Sequence, residues 1–187
     1  MADARTTFRQ ILITGPPGVG KTTLVQKLCK TLRSKNVSTK GFYTEEIRQN
    51  GVRSGFDIVD LEGPRKPLAR ITSQENSSFP KVGKYSVDVD SFEALALPLV
   101  TNSKSSSVMV LDEIGKMELF SRKFKQSVNE LFTNSKITIL ATIPVRPMPF
   151  VDNLRKLTSA KIFVVTKENR NNLEKEILNA LAISSEG

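Results

Sequence analysis

The sequence predicts an α/β protein with a mainly parallel sheet flanked by helices. Short apolar runs, typical of buried strands, alternate along the chain with stretches whose apolar residues recur at helical spacing. Strands that are separated by helices pair in parallel, and the helices then cover both faces of the sheet. The chain has 187 residues and shows no internal repeat or linker, so we expect a single domain over residues 1–187.

The first third of the chain contains three predicted elements. Residues 8–14 end in a continuous apolar run and indicate a buried strand. In residues 22–35 leucines stand four apart, which is typical of one face of a helix. Residues 41–61 place Asn50-Gly51 between two β-rich runs, and this dipeptide favours a hairpin because both of its residues accept positive φ. The hairpin adds an antiparallel edge to the predicted sheet.

The middle of the chain is less regular. Residues 62–80 contain Pro and Ser and indicate no element, whereas residues 84–89 indicate a strand. A short helix capped by Asp90 or Ser91 is expected next, and Pro98 is expected to disturb its end.

The remainder of the chain alternates between strands and helices. Residues 108–112 form an apolar run typical of a buried strand, and residues 117–132 have the pattern of an amphipathic helix. The remaining predicted elements are a strand at 136–143, a proline-rich loop at 144–149, a short helix at 150–157, a strand at 161–165 and a helix at about 168–182.

The composition excludes several kinds of site. The chain has no histidine, which excludes a Ser-His triad and any His-ligated metal. It has one cysteine, Cys29, which excludes an internal disulfide and a cysteine-based zinc site. Cys29 stands among leucines at helical spacing and is expected to be a small buried residue.

Charge and hydropathy limit the partners. No apolar run is long enough to span a bilayer, and the first ten residues lack the apolar core of a secretory signal, so we expect a cytoplasmic protein with no membrane partner. The net charge is +9, which makes nucleic acid a possible partner. That partner is weakly supported because the basic residues are dispersed and aromatic residues make up only 6%. We expect a monomer.

The segment Gly15–Thr22 reads GPPGVGKT and matches the phosphate-binding pattern G-x-x-x-x-G-K-[ST] at every fixed position, between a predicted strand and a predicted helix. Pro16 and Pro17 have no N–H to donate, and we expect them to stiffen the first part of this loop. Lys21 supplies charge to the β and γ phosphates, and Thr22 offers its hydroxyl to Mg²⁺. The expected backbone donors are Gly18, Val19, Gly20, Lys21 and Thr22. The sequence therefore predicts a nucleotide polyphosphate bound with magnesium.

Two acidic residues follow the buried strand 108–112. Asp112 is expected to hold magnesium through water, opposite Thr22. Glu113 is placed to orient and deprotonate a water molecule in line with the γ phosphate, and in a chain without histidine it is the best available general base. The alternative for Glu113 is a solvated acidic residue at the end of a strand.

Four segments resemble blocks of the cancer-related nucleoside-triphosphatase family, which has archaeal and bacterial thermophile relatives: TGPPGVGKTTL, GFYTEEIR, VLDEIGKMELF and VTKENRN. The resemblance runs from about Ile11 to Leu173, and DEIGKME is its most specific part. It implies a RecA-like P-loop fold and slow hydrolysis of nucleoside triphosphates, with broad base specificity, to diphosphates. It also implies nucleotide contacts from GPPGVGKT and from a second segment made of Val108, Met109, Val110, Leu111, Asp112, Glu113, Ile114 and Gly115.

The segment IFVVTKENR predicts weak discrimination between bases. Thr-Lys-x-Asn is a near miss for the guanine-reading [NT]-K-x-D sequence, and the Asn169 amide lacks the two acceptor oxygens of that aspartate. ATP, GTP, CTP and UTP are therefore all expected substrates. The alternative is an ordinary helix start capped by Asn169 or Thr166.

Developing charge on the γ phosphate favours a cation beside it. Arg170 is the favoured nucleotide contact, and Arg146 is a candidate mobile arginine on the proline-rich loop that Arg155 also flanks. Thr142 is a candidate for positioning water and Lys116 for reaching the site, although an ordinary strand-end threonine and a solvated lysine are the simpler interpretations.

Three classes of function fit these patterns. The leading one is a Mg²⁺-dependent nucleoside triphosphatase that uses Lys21 and Glu113. The second is a P-loop kinase that passes the γ phosphoryl to a nucleoside or small acceptor, with residues 144–155 as a lid. The third is a nucleotide-switched module that binds nucleic acid, supported by the positive charge.

Overall fold

The computed structural model describes residues 7–72, 78–102 and 107–181, which build one nine-stranded sheet with helices packed on it. The strands are β1 (Gln10–Thr14), β2 (Ser38–Gln49), β3 (Val52–Asp60), β4 (Arg65–Ile71), β5 (Lys81–Val82), β6 (Tyr85–Val87), β7 (Ser107–Asp112), β8 (Thr138–Thr142) and β9 (Ala160–Val164). The helices are α1 (Lys21–Ser34), α2 (Val89–Thr101), α3 (Arg122–Thr133), α4 (Pro149–Arg155) and α5 (Leu173–Ala180), with a 3₁₀ turn at Glu118–Phe120.

The predicted fold class is confirmed. The strand order is β5-β6-β4-β3-β2-β7-β8-β1-β9, and the five strands from β2 to β9 in that order are parallel. The predicted hairpin is β2–β3, and its turn places Asn50 at φ 51° and Gly51 at φ 78°. The antiparallel part is larger than this hairpin, because β4, β6 and β5 continue it outward.

Two local predictions are wrong. Residues 62–80 were expected to be the least ordered part of the chain, yet β4 lies there and pairs with β3 on one side and β6 on the other, with Pro67 within it. Residues 73–77 of this stretch lie outside the described residues. Asp90 or Ser91 was expected to cap the following helix, but its cap is Asp88, whose carboxylate accepts a hydrogen bond from the Ser91 N–H at 2.9 Å.

The observed bounds of three helices also differ from those that the sequence pattern predicted. Pro98 lies inside α2 without ending it, since the helix continues to Thr101. The helix expected at 117–132 divides into the 3₁₀ turn and α3, because the Ser121 hydroxyl accepts a hydrogen bond from Phe124 N–H at 3.0 Å and starts a new helix. The last predicted helix spans α5 only; residue 182 lies outside the described residues.

The sheet has a separate apolar core on each face. One core holds the edge-to-face and tilted rings of Phe42, Phe92 and Phe124, with centroids 5.0–5.9 Å apart. The other lies under α1 and α5 and includes Cys29, which is buried as predicted. None of the helices within the described ranges is long and apolar enough to cross a membrane.

The parallel strands bring their carboxyl ends to one edge of the sheet, where ligands bind in such folds. β1 ends at the phosphate-binding segment, β7 ends at Asp112 and β8 ends at Thr142. β2 pairs with β7 only as far as Tyr43 opposite Asp112, whereas its pairing with β3 continues to Gln49 opposite Val52. The hairpin therefore projects beyond the edge by about 20 Å of strand.

Candidate nucleotide site

The phosphate-binding segment connects β1 to α1 as predicted. Gly15 has φ 153° and lies so close to the next strand that a Cβ there would be 2.6 Å from the Val165 carbonyl oxygen. Gly20 caps α1 at φ 109°, in a conformation that glycine adopts without strain. The amino end of α1, with its unpaired N–H groups, therefore points at the place where an anion is expected.

Lys21 is folded back over this loop. Its ammonium donates to the Gly15 carbonyl at 3.0 Å and lies 3.4 Å from the Pro16 carbonyl. Its Nζ is also 4.0 Å from Oε2 of Glu113. The two residues predicted to be catalytic are thus brought together, with the phosphate-binding loop beside them.

Asp112 is buried at the end of β7, and its two carboxylate oxygens have different surroundings. Oδ1 accepts a short hydrogen bond from the Thr142 hydroxyl, whereas the buried Oδ2 has no hydrogen-bond partner. Burial raises the pKa of Asp112, and the nearby Thr142 and Thr22 hydroxyls and Lys21 oppose this. Thr142, a candidate for positioning water from the sequence, donates its hydroxyl to this carboxylate and so orients it.

An unpartnered carboxylate oxygen close to the Thr22 hydroxyl fits a small divalent cation. Magnesium at such sites uses one or two carboxylates and completes its shell with phosphate oxygens and water. Over the described ranges no group of three or more His, Cys, Asp or Glu side chains could hold a metal, so this pair would depend on the nucleotide for the other ligands. Thr22 and Asp112 are the residues that would hold Mg²⁺.

Glu113 is half-buried beside Lys21. Burial raises the pKa of its carboxyl, the Lys21 ammonium lowers it, and the Asp112 carboxylate raises it again. Its side chain keeps 32% exposure and lines the cleft, so water can reach it. This placement suits a general base better than it suits the solvated acid that was the alternative.

Glu118 was not singled out by the sequence, yet its carboxyl is buried in this site. Oε2 accepts a hydrogen bond from Gly115 N–H at 3.1 Å, and Oε1 lies 3.5 Å from the Thr44 hydroxyl. Burial, reinforced by the negative charge of Glu113, raises the pKa of Glu118 to about 8. Two carboxyl groups crowd over Gly115, because a Cβ there would be 2.7 Å from Glu113 Oε1 and 3.0 Å from Glu118 Oε2.

A cleft of about 840 Å³ opens over these groups. Its phosphate side is lined by Gly15, Pro17, Gly18, Gly20, Lys21, Thr22, Thr23 and Gln26. Its floor is lined by Asp112, Glu113, Lys116, Met117 and Glu118. The opposite wall and the opening are lined by Tyr43, Thr44, Glu45, Glu46, Arg53, Phe56, Val82, Pro144, Val145 and Arg146. The projecting hairpin supplies most of that wall, which the sequence did not predict.

The arginines flanking the proline-rich loop have different roles. Arg155 donates a short hydrogen bond to the Pro144 carbonyl and lies 3.6 Å from Asp152, so it holds the loop in place. Arg146 is exposed at the opening of the cleft, where it remains a candidate mobile arginine. Lys116 is exposed and also lines the cleft, which is compatible with both interpretations of this lysine.

The loop after β9 uses Asn169 for local hydrogen bonds. The side-chain oxygen Oδ1 of Asn169 accepts a hydrogen bond from Thr166 N–H at 2.8 Å, and its side-chain nitrogen Nδ2 donates one to the Val164 carbonyl at 2.8 Å. This is the alternative that the sequence left open, a capped loop before a helix. Arg170 reaches back to the phosphate-binding loop, with its guanidinium 3.4 Å from the Val19 carbonyl.

Several predicted nucleotide contacts are buried behind the cleft and do not line it. The side chains of Val108, Met109, Val110, Leu111 and Ile114 lie in the two apolar cores, each at most 2% exposed. Pro17 lines the cleft, but Pro16, Val19 and Gly115 do not. The backbone of these three residues forms hydrogen bonds next to the cleft, from Val19 N–H to the Pro16 carbonyl and from Gly115 N–H to Glu118. The apolar side chains of β7 therefore hold Asp112 in position from behind the cleft.

Comparisons with known proteins show which family the chain belongs to. A family model described as NTPase matches residues 10–178. The cancer-related nucleoside-triphosphatase of Homo sapiens is 47% identical over 186 residues, covering 94% of this chain and 98% of that protein. The nucleoside-triphosphatase THEP1 of Aquifex aeolicus is 39% identical over 181 residues, covering 92% and 98%.

Two solved structures share the fold. The crystal structure of THEP1 from the hyperthermophile Aquifex aeolicus superposes with a TM-score of 0.82 at 38% identity and covers 92% of this chain and 98% of that chain. The solution structure of a human cancer-related nucleoside triphosphatase superposes with a TM-score of 0.80 at 48% identity, covering 91% and 95%. The resemblance stated from the four sequence segments is thereby confirmed.

Proposed function

The chain belongs to the nucleoside-triphosphatase family, whose members are hydrolases, and from that premise we propose that it hydrolyses nucleoside triphosphates to nucleoside diphosphate and phosphate with Mg²⁺. The observation that carries the proposal is the approach of Lys21 to Glu113 at the mouth of the phosphate-binding loop. A cation for the terminal phosphate and a base for water are there within 4.0 Å of each other.

Different groups of the chain bind the phosphates and activate the water. The backbone N–H groups from Gly18 to Thr22 and the Lys21 ammonium bind the phosphates and stabilise the charge that develops on them. Magnesium, when bound by Thr22 and Asp112, neutralises charge on the phosphate oxygens. Glu113 orients a water molecule and accepts its proton as the water oxygen bonds to the γ phosphorus and the bond from that phosphorus to the β–γ bridging oxygen breaks, which releases the diphosphate.

We further propose broad base specificity and slow turnover. The Asn169 amide is already bonded to Thr166 and Val164, so its loop offers no free carboxylate-like acceptor that would reject the wrong base. Arg170 rests against the Val19 carbonyl and Arg146 is exposed at the cleft opening. Because one guanidinium is bonded to the backbone of the loop and the other is exposed, we expect a modest rate.

The test is phosphate release by the purified chain from ATP, GTP, CTP and UTP, each with Mg²⁺. The expected rates lie within about tenfold of one another, and a preference above about a hundredfold for one base would contradict the proposed breadth. Chelating the divalent cation should stop release. Lys21→Ala should abolish it, whereas Lys27→Ala, an exposed lysine on the same helix, should not.

The cytoplasmic location, the monomeric state and the nucleic-acid partner remain predictions. Turnover stimulated by polynucleotide, with steeply salt-dependent binding, would support the nucleic-acid switch.

A further inference from the structure

The hydrolysis proposed above uses the carboxylates of Asp112 and Glu113 but not the carboxyl group of Glu118. Glu118 lines the floor of the cleft, yet it is only 4% exposed. Burying a carboxyl group costs free energy unless hydrogen bonds replace those that it made to water. The hydrogen-bond partners of Glu118 therefore indicate what it does in the cleft.

One oxygen of the Glu118 carboxyl holds the turn that follows Glu113. Oε2 accepts a hydrogen bond from Gly115 N–H at 3.1 Å. The Gly115 carbonyl in turn accepts one from Leu119 N–H at 3.0 Å, so the 3₁₀ turn brings Glu118 back over Gly115. Glu118 is thereby fixed to the backbone on the carboxyl side of Glu113.

The other oxygen of this carboxyl reaches the backbone on the amino side of Glu113 through Thr44. Thr44 lies on β2, one residue beyond the part of the strand that pairs with β7. Its hydroxyl lies 2.9 Å from the Asp112 carbonyl oxygen and 3.5 Å from Glu118 Oε1. That carbonyl belongs to the peptide group between Asp112 and Glu113. Glu118 therefore contacts the chain on both sides of Glu113.

These hydrogen bonds have a direction. A carbonyl oxygen can only accept, so the single proton of the Thr44 hydroxyl goes to the Asp112 carbonyl, which is also its nearer partner. The Thr44 oxygen can then bond to Glu118 only as an acceptor. The donor has to be a protonated Glu118 carboxyl, which has one O–H to donate and a second oxygen for Gly115 N–H.

The charges around Glu118 favour the same protonated form. Burial and the negative charge of Glu113 raise the pKa of Glu118 to about 8, and Asp112 raises it further, although the Gly115 N–H lowers it. The Lys21 ammonium is paired with Glu113. A protonated Glu118 also adds no third negative charge where a triphosphate is expected to bind.

We propose that Glu118 is a positioning residue for the hydrolysis: as a neutral acid it donates a hydrogen bond to Thr44 and accepts one from Gly115, and so holds the Glu113 carboxylate where it meets the attacking water. The inference rests on the proposed function, because that is the reaction it serves. Glu118 exchanges no proton with the substrate and acts through the two peptide groups that flank Glu113. A displacement of about 1 Å at a catalytic group can lower a rate by about a hundredfold.

Two variants of similar side-chain length separate hydrogen bonding from packing. Glu118→Gln keeps both bonds, because its NH₂ group donates to Thr44 and its oxygen accepts from Gly115. Glu118→Met fills the same space and makes neither bond. Glu118→Met should lower the turnover of ATP with Mg²⁺ by about 10- to 100-fold, and Glu118→Gln by no more than about threefold. Glu176→Met, at an exposed position on α5, is the matched control and should leave turnover unchanged.

Variants of Thr44 test the other half of this arrangement. Thr44→Val removes the hydroxyl and should lower turnover by about tenfold, whereas Thr44→Ser keeps it and should retain at least about a third of the wild-type rate. Thr44→Val combined with Glu118→Met should be little slower than Glu118→Met alone, because both changes act on one peptide group. Thr101→Val removes a hydroxyl that donates to the Leu97 carbonyl on α2 at 2.8 Å, and it should leave turnover unchanged.

Binding and spectroscopy distinguish positioning from a loss of stability. Equilibrium binding of a non-hydrolysable triphosphate counts the folded sites, and its affinity should change by no more than about threefold in the Glu118 and Thr44 variants. The loss is then one of turnover per folded site. The infrared difference spectrum between wild type and Glu118→Gln, recorded near neutral pH, should contain the carbonyl band of a protonated carboxylic acid.

Each contrary outcome overturns the inference. Wild-type turnover in Glu118→Met removes the positioning role and leaves the hydrolase standing. Equal losses of turnover in Glu118→Gln and Glu118→Met, or carboxylate bands in the difference spectrum, would show that Glu118 acts in its ionised form. A loss of affinity as large as the loss of rate would show that Glu118 supports nucleotide binding and does not position the base. If the wild type releases no phosphate from any nucleoside triphosphate, the proposed function fails, and the role of Glu118 fails with it.

Discussion

At the residue scale, the carboxyl groups of Glu113 and Glu118 share the space over Gly115 but have different environments. Glu113 lies beside the Lys21 ammonium and is reached by solvent, whereas Glu118 is 4% exposed and has no cation among its hydrogen-bond partners. One side chain is therefore suited to accept a proton from water, and the other to hold its own proton near neutral pH.

Glu113→Gln should keep nucleotide binding and lower turnover by roughly 10²–10⁴. The amide preserves the shape of the side chain but cannot accept the proton of the attacking water. Steady-state phosphate release gives the rate, and equilibrium binding of a non-hydrolysable triphosphate gives the affinity. Turnover equal to that of the wild type would refute the assignment of Glu113 as the base.

Glu118→Gln should change how stability depends on pH. The folded chain holds the Glu118 proton up to its pKa of about 8, whereas the unfolded chain releases it near 4.5. Between these values the folded state binds more protons, so this carboxyl lowers the free energy of unfolding as pH rises from about 4.5 to about 8. Denaturant unfolding at pH 5, 6.5 and 8 gives the free energy of unfolding, which should fall less steeply with rising pH in the variant than in the wild type.

The control for Glu118→Gln is Glu176→Gln, an exposed position on α5. Asp112 and Glu113 also have raised pKa values, but both remain in the variant, so the difference between the two curves reports Glu118. Parallel curves for wild type and Glu118→Gln would mean that Glu118 is ionised in the folded chain.

At the scale of elements, the β2–β3 hairpin is set into the sheet by a close approach at Gly41. A Cβ at Gly41 would lie 1.9 Å from the Val110 carbonyl oxygen, and its φ is +122°. Only glycine allows β2 to lie against β7 there. The same strand carries Tyr43 and Thr44 to the cleft two and three residues later, so this one position fixes where the cleft wall stands.

Gly41→Ala should destabilise the chain by at least about 2 kcal/mol more than Gly63→Ala does. Gly63 has a similar φ of +116° but has no atom within 4 Å of an added Cβ, so it carries the backbone strain without the overlap. Chemical denaturation of both variants supplies the two free energies. Equal losses of unfolding free energy in the two variants would show that β2 and β7 can move apart around the added Cβ without a loss of stability.

The order and type of most elements were predictable from the sequence, and their ends were not. Apolar periodicity located β1, α1, β7 and β8 because each buries a continuous face. The cap of α2 was misplaced because Asp88, Asp90 and Ser91 are all good capping residues, and only the tertiary position of Val87 in β6 decides among them. β4 was missed because proline is rare in paired strands.

At the scale of the whole molecule, the three rings of Phe42, Phe92 and Phe124 connect β2, α2 and α3 on one face of the sheet. Each ring is at most 1% exposed. Since β2 forms the cleft wall and the segment before α3 forms the cleft floor, this core holds both in place.

Phe92→Ala should lower the free energy of unfolding by about 3–5 kcal/mol, because it removes a ring that packs on two others and leaves a cavity. Urea denaturation followed by circular dichroism measures the change. Val52→Ala, at a position 64% exposed at the start of β3, should change it by no more than about 0.5 kcal/mol. A small loss for Phe92→Ala would mean that the core closes around the gap.

The candidate site was predictable where its residues are consecutive. Gly15–Thr22 and Asp112-Glu113 carry fixed spacings that follow from the phosphate and the metal that we propose bind there. Tyr43, Phe56 and Glu118 were not found because they join the site through strand pairing and chain reversal, which leave no spacing in the sequence. The DEIGKME segment did contain Glu118, and its glycine between two glutamates was the available signal.

The contact between Lys21 and Glu113 has a consequence for the proposed hydrolysis. The ammonium lies 4.0 Å from the carboxylate and partly compensates its charge. A triphosphate carries more negative charge than one carboxylate and competes for the same ammonium. Under the proposed function, we therefore expect a bound triphosphate to draw the ammonium away from Glu113 and leave that carboxylate available as the base.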